Sequence, residues 1–191
     1  MWKDLLNNKL NNMARTKRVQ KYYKKSNWST RLTNFSGSQS VASGGSWVIY
    51  YNLCQNPAQS SDTVSNKFTV KNIDCTLILE NASNEYNAYA ENFQFYVMYI
   101  PQGYIPSGTP SAYADVPFNH PEWIMAYRFV GNLMSDSSTS YPPIRVKTRL
   151  ARKLDTGDRI CLIILGSNTA TGSSSITMDY RGLVKYNTKA N

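Results

Sequence analysis

Ile144-Arg145-Val146-Lys147-Thr148-Arg149-Leu150 alternates without a break. Side chains along an extended chain point to opposite faces with period two. One buried face of Ile144, Val146, Thr148 and Leu150 is therefore expected, and one wet face of Arg145, Lys147 and Arg149. A few residues on, Asp155-Thr156-Gly157-Asp158 precedes a second apolar run and reads as a tight hairpin, which would make the pairing around it antiparallel. Working outward, similar stretches rich in Val, Ile, Tyr and Phe and bounded by turn residues predict strands at 46–54, 67–80, 92–101, 124–131, 144–152, 158–166 and 175–187. Alternation is clear again in Phe68, Val70 and Asn72 and in Asp74, Thr76 and Ile78. An eighth strand is expected between 100 and 143. No segment of this body keeps a helical period for three turns, so parallel βαβ units are disfavoured. The reading is a single all-β domain, an antiparallel two-sheet sandwich with long loops at 54–66, 101–122 and 132–143.

The 191 residues suffice for one domain. At 41% hydrophobic and 13% aromatic the chain is too apolar for a disordered protein, while a mean hydropathy of −0.46 and the lack of any 18-residue apolar run argue against membrane insertion. Twenty-one Lys and Arg against twelve Asp and Glu leave +9, which points to a polyanionic partner. The excess is concentrated. Residues 1–25 hold Lys3, Lys9, Arg15, Lys17, Arg18, Lys21, Lys24 and Lys25 against Asp4 alone, a net of +7, and leave about +2 for the rest. Tyr22, Tyr23 and Trp28 stand among these cations, a composition that neutralises phosphates and stacks on unpaired bases. Arg15, Lys17, Arg18, Lys21, Tyr22, Tyr23, Lys24 and Lys25 are thus the candidate nucleic-acid-binding residues. Trp2, Leu5, Leu6, Leu10 and Met13 recur at helical spacing, but two or three such turns are marginal alone. The Gly/Ser-rich segment 36–45 is read as a hinge, giving a basic arm at 1–35, internal and partly disordered, and a body at 46–191.

Enzyme chemistry finds little material. His120, the one histidine, lies between Asn119 and Pro121 and reads as structural rather than catalytic. No phosphate-binding loop, dinucleotide fingerprint or nucleophile elbow occurs. Asp155 and Asp158 read as turn formers. Cys54, Cys75 and Cys161 are too few for a metal cluster or disulfide framework and read as reduced core residues, so no metal and no cofactor is expected. Arg145, Lys147 and Arg149 form a candidate polyanion stripe, beside the plainer reading of a solvated strand face. In the loop 101–122, Pro101, Pro106, Pro110, Pro117 and Pro121 stiffen a segment that also carries Tyr104, Tyr113 and Phe118. These three aromatics are the candidate subunit-interface residues, the alternative being that the loop folds back over its own sandwich.

Longer segments carry a resemblance. Ala90-Glu91-Asn92-Phe93-Gln94-Phe95-Tyr96-Val97-Met98-Tyr99-Ile100-Pro101, Pro121-Glu122-Trp123-Ile124-Met125-Ala126-Tyr127-Arg128-Phe129-Val130-Gly131, the stretch from Lys147 to Ile160, and Gly182-Leu183-Val184-Lys185-Tyr186-Asn187-Thr188-Lys189 resemble capsid proteins of circovirus-like, circular Rep-encoding single-stranded DNA (CRESS-DNA) viruses. The resemblance covers roughly residues 46–191. It implies an eight-stranded jelly roll whose copies form a T=1 icosahedral shell of about 60 subunits, with the arm inside on circular single-stranded DNA. It further implies a virion protein that passes through the host nucleus during assembly and meets a host-cell receptor or glycan. The arm departs from the better-known circovirus pattern in being short and Lys-mixed, without a long Arg run. About 60 arms at +7 neutralise roughly 400 phosphates, fewer than a genome of one or two thousand nucleotides carries. Two other classes remain compatible with the residues: a monomeric single-stranded nucleic-acid-binding β-barrel and a glycan-binding β-sandwich.

Overall fold

The computed structural model describes residues 28–42, 44–56, 67–81, 90–104, 110–132, 142–168 and 175–190. Among these residues nine strands follow one another as β1 (Ser29–Val41), β2 (Ser46–Gln55), β3 (Phe68–Asn81), β4 (Ala90–Ile100), β5 (Ile124–Asn132), β6 (Ile144–Thr148), β7 (Arg152–Leu154), β8 (Arg159–Asn168) and β9 (Ile176–Ala190). One sheet has the order β1-β9-β3-β6, with β7 also on β3, and the other has the order β2-β8-β4-β5. Every pairing is antiparallel. Since β6 and β7 both lie along β3, they are two pieces of one strand interrupted at 149–151. The result is an eight-stranded jelly-roll sandwich.

The two sheets differ in a way their sequences explain. The five-stranded sheet buries one face, so its strands alternate: Ile73, Cys75, Leu77 and Leu79 of β3 point into the core, and Asp74, Thr76, Ile78 and Glu80 point away. A bulge where the β3–β9 register shifts between Lys71 and Asp74, with Asn72 at φ 54°, changes phase between Val70 and Ile73. In the four-stranded sheet β2, β4 and β8 are covered on both faces, whereas β5 leaves Tyr127 and Phe129 half exposed. Trp47, Ile49, Phe93, Phe95, Ile160, Leu162 and Ile164 face the sandwich core. Val48, Tyr96, Met98 and Ile163 face a second cluster under the segment 110–123. Two-sided burial is why 46–54, 93–100 and 160–165 read as near-continuous apolar runs.

Three expectations are corrected. Among the described residues no strand beyond β5 lies between 100 and 143; the additional strand is β1, which takes up the supposed hinge as far as Val41. Its inward positions are Thr33, Phe35, Gly37, Gln39 and Val41, of which only Phe35 and Val41 are large and apolar. The missing bulk comes from the partner strand. Tyr180 of β9 lies over Gly37 and Phe35 lies over Gly182, so a Cβ at either glycine would collide with a ring. Second, Asp155–Asp158 makes a tight turn but no hairpin. It carries the chain from β7 in one sheet to β8 in the other, because Leu154 and Ile160 both bury in the shared core from opposite sheets. Third, Ile144, Val146 and Thr148 are buried as expected, but Leu150 is 53% exposed. Its amide donates to Thr148 Oγ1 at 3.1 Å, which turns the chain out of β6.

Candidate functional site

The outer face of the five-stranded sheet gathers Lys71, Arg145, Lys147, Lys153, Arg181, Lys185 and Lys189 against the carboxylates Asp74, Glu80 and Asp179. Register sets the rows. Lys147 and Lys185 flank Asp74 from β6 and β9, and Arg145 lies one row along, opposite Thr76. Arg145 Nε donates to Asp74 Oδ1 at 2.7 Å, its Nη2 donates to Oδ2, and Lys147 Nζ stands 3.6 Å from the same Oδ2. These bonds, the Arg145 hydrogen bond foremost, hold the Asp74 carboxyl below its ordinary value. One carboxylate thus pairs with two cations, with a third, Lys185, opposite it in the register of β9. Both Arg145 and Lys147 stay about half exposed, at 53% and 54% of their side-chain surface. Arg181 pairs with Glu80. Arg149 lies beyond the end of β6, exposed and off the ladder, so the stripe read from sequence is a pair on the strand plus a neighbour in the break.

Sequence reasoning missed Lys71, Lys153, Arg181, Lys185 and Lys189. The even spacing of Arg181, Lys185 and Lys189 along one strand was the available signal, since residues four apart share a face. The arm candidates Arg15, Lys17, Arg18, Lys21, Tyr22, Tyr23, Lys24 and Lys25 lie outside the described residues. The described residues begin at Trp28, whose ring receives the ammonium of Lys71 at 3.8 Å from its centroid. The chain therefore enters β1 beside the basic face.

The opposite side is built differently. A 3-10 turn at Pro110–Tyr113, a short helix α1 (Val116–Asn119) and a second 3-10 turn at Pro121–Trp123 lie over the four-stranded sheet. Tyr113 is 7% exposed and stacks on Tyr50 of β2 at 3.9 Å between centroids. At this residue the loop folds back over its own sandwich, so Tyr113 has no surface to give a neighbour. Tyr104 is half-buried, edge-on to His120 and Trp123 at 4.9 Å each, and its carbonyl accepts from Arg159 Nη2 at 3.2 Å. Phe118 is 62% exposed and alone of the three presents its ring to solvent. His120 stacks on Trp123 at 3.7 Å and lies 3.2 Å from the Glu122 carboxylate, as part of this cover.

Cys54, Cys75 and Cys161 are free and buried, and burial pushes their thiols up to about 11, 12 and 12. Among the described residues no group of three or more His, Cys, Asp or Glu is placed to hold a metal ion, and no helix is long and apolar enough to cross a membrane. What the site offers chemically is a fixed array of cations on one face of a rigid sheet.

No protein-family model matches the sequence, and no curated protein matches it. Solved structures are similar in chain path. The VP2 subviral particle of infectious bursal disease virus is 10% identical over 83% of this chain and 32% of its own, with a TM-score of 0.37. A carbohydrate-binding module of the β-sandwich superfamily is 12% identical over 82% and 56%, at 0.31. The decameric capsid protein of beak-and-feather disease virus is 11% identical over 86% of this chain and 99% of its own, at 0.36. The chain spans about a third of the VP2 chains it matches.

Proposed function

We propose that this chain is a viral coat protein that self-assembles into a small T=1 shell and packages circular single-stranded DNA, without enzymatic activity. The observation that carries the reading is the entry of the chain into β1. A block of +7 in residues 1–25 leads into a strand whose first neighbour, Trp28, is held by Lys71 on the basic outer face of the five-stranded sheet. Arm and face then act on the same side of the molecule. The face adds cations where the arm's charge falls short of a genome's phosphates. On this reading the five-stranded sheet is turned toward the cargo, and the covered four-stranded sheet is turned away from it.

The test is direct. Purified full chain should form closed particles of about 20 nm by negative-stain microscopy, a size that about 60 jelly rolls enclose. A chain lacking residues 1–25 should remain a folded β domain by circular dichroism and carry less nucleic acid. Its DNA binding should also depend less steeply on salt, by about 0.7 in the log–log slope for each phosphate that the arm no longer neutralises. A monomer at all concentrations would overturn the shell, and unchanged nucleic-acid content after truncation would overturn the role of the arm.

A further inference from the structure

A jelly roll has two open sheets and so four edges, and three of them here carry protection against pairing with another chain. The β2 edge is bulged between Asn52 and Cys54, and Val48 and Ile49 within it are buried. The β5 edge has an irregularity opposite Val97 and Met98. It also sends Arg128 across to the Arg145 carbonyl at 2.8 Å, which occupies part of the β6 edge as well. The strand β6 is five residues long, carries Arg145 and Lys147, follows Pro142-Pro143 and breaks at 149–151.

The fourth edge, β1, lacks the bulges, breaks and prolines of the other three. It runs for thirteen residues, pairs with β9 in unbroken register from Ser29 to Val41, and contains no proline and a single charge, Arg31. Among the described residues, no backbone hydrogen bond joins Ser29 to Ser40 with any strand but β9. Its outer side chains are Thr30, Leu32, Asn34, Ser36, Ser38 and Ser40, with Leu32 63% exposed. A strand of this composition meets no charge repulsion when laid antiparallel on itself. Antiparallel pairing of identical strands is isologous and closes under a two-fold axis.

We infer that β1 pairs edge to edge with β1 of a second copy, joining two five-stranded sheets into one continuous sheet across a two-fold axis near the middle of the strand. The inference rests on the self-associating part of the proposed function and on nothing about cargo. Its geometry is specific. With the axis beside an outer-face residue, Asn34 or Ser36, that residue lies opposite its own copy at the 4.5–5.5 Å Cα separation of paired residues, and positions two residues away are farther apart.

The experiment is a cysteine scan in the full chain, using Leu32→Cys, Asn34→Cys, Ser36→Cys, Ser38→Cys and Ser40→Cys singly, with copper phenanthroline as oxidant. The native cysteines are buried and stay silent in the parent chain. The expected result is a disulfide-linked dimer that peaks at Asn34→Cys or Ser36→Cys and falls toward both ends. Asn34→Lys with Ser36→Lys, which sets like charges face to face, should weaken dimerisation at least about tenfold while circular dichroism is kept. No cross-link at any position, or equal cross-linking at all, overturns the inference. Particles without a cross-link overturn it and leave the coat-protein reading standing. Cross-linked dimers without particles uphold it and overturn the shell.

Discussion

Asp158 shows how one side chain fixes a junction between sheets. It is 5% exposed, and its carboxylate accepts from the Tyr99 hydroxyl at 2.8 Å, the Gln102 amide at 2.8 Å and the Asp155 amide at 2.9 Å. Its backbone carbonyl accepts from the Asn56 amide at 2.9 Å, and Gly157 at φ 87° sends its own amide to the Asn56 carbonyl at 2.8 Å. Burial first, and then the Asp158 hydrogen bond, push the Tyr99 hydroxyl up to about 12, so it stays a donor across the working pH range. Asp158→Ala strands three donors and should lower stability by about 3 kcal/mol in urea unfolding at pH 7. Asp158→Asn, which keeps an acceptor, should cost less. Equal stability of Asp158→Ala and the parent would remove Asp158 from this role. Sequence showed Asp158 as a turn former, and it is one. That its turn joins two sheets was hidden, because two of the donors it satisfies, Tyr99 of β4 and Gln102, come from more than fifty residues earlier.

At the scale of elements, the segment 110–123 separates two candidate residues that sequence treated alike. Tyr113→Ser removes a ring stacked in the second apolar cluster and should destabilise the isolated domain by about 3 kcal/mol in chemical denaturation. Phe118→Ser removes an exposed ring and should leave the melting temperature within about 1 °C of the parent. If Phe118 lies at a subunit contact, particle formation seen by microscopy should fall for Phe118→Ser although the domain is intact. Normal particles from it would exclude that contact. The strands β2, β4 and β8 were legible as apolar runs because both their faces are buried, and β3 and β6 as alternations because one face is wet. The strand β1 was not legible. The space inside Gly37 is filled by Tyr180, roughly 140 residues away, and a glycine that awaits a distant ring looks like a hinge glycine. Of the basic face, the pair Arg145 and Lys147 was readable, whereas the rest depends on which strand lies beside which.

For the molecule as a whole, the two outer faces are unlike: one sheet presents cations and the other lies beneath its own chain. Asp74 moderates the first, standing among Arg145, Lys147 and Lys185. Its folded-state pKa is depressed below the ordinary 3.8. Its contribution to stability is therefore present above that ordinary value and lost as pH falls through the depressed one. Asp74→Asn should flatten the acid limb of melting temperature against pH, and by freeing cations it should steepen the salt dependence of single-stranded DNA binding by up to about 0.7 in slope. An unchanged acid limb would deny the coupling, and an unchanged slope would place that face away from the nucleic acid. A further consequence follows from the place of β9 between β1 and β3. A ribosome makes about 5–20 residues per second, so β1 waits roughly 7–30 s after its own synthesis for the strand that completes its sheet. Throughout that interval the arm is already out and charged, while the basic face does not yet exist. During translation a nucleic acid can meet the arm alone, and the array of cations appears only when synthesis has reached the last strand.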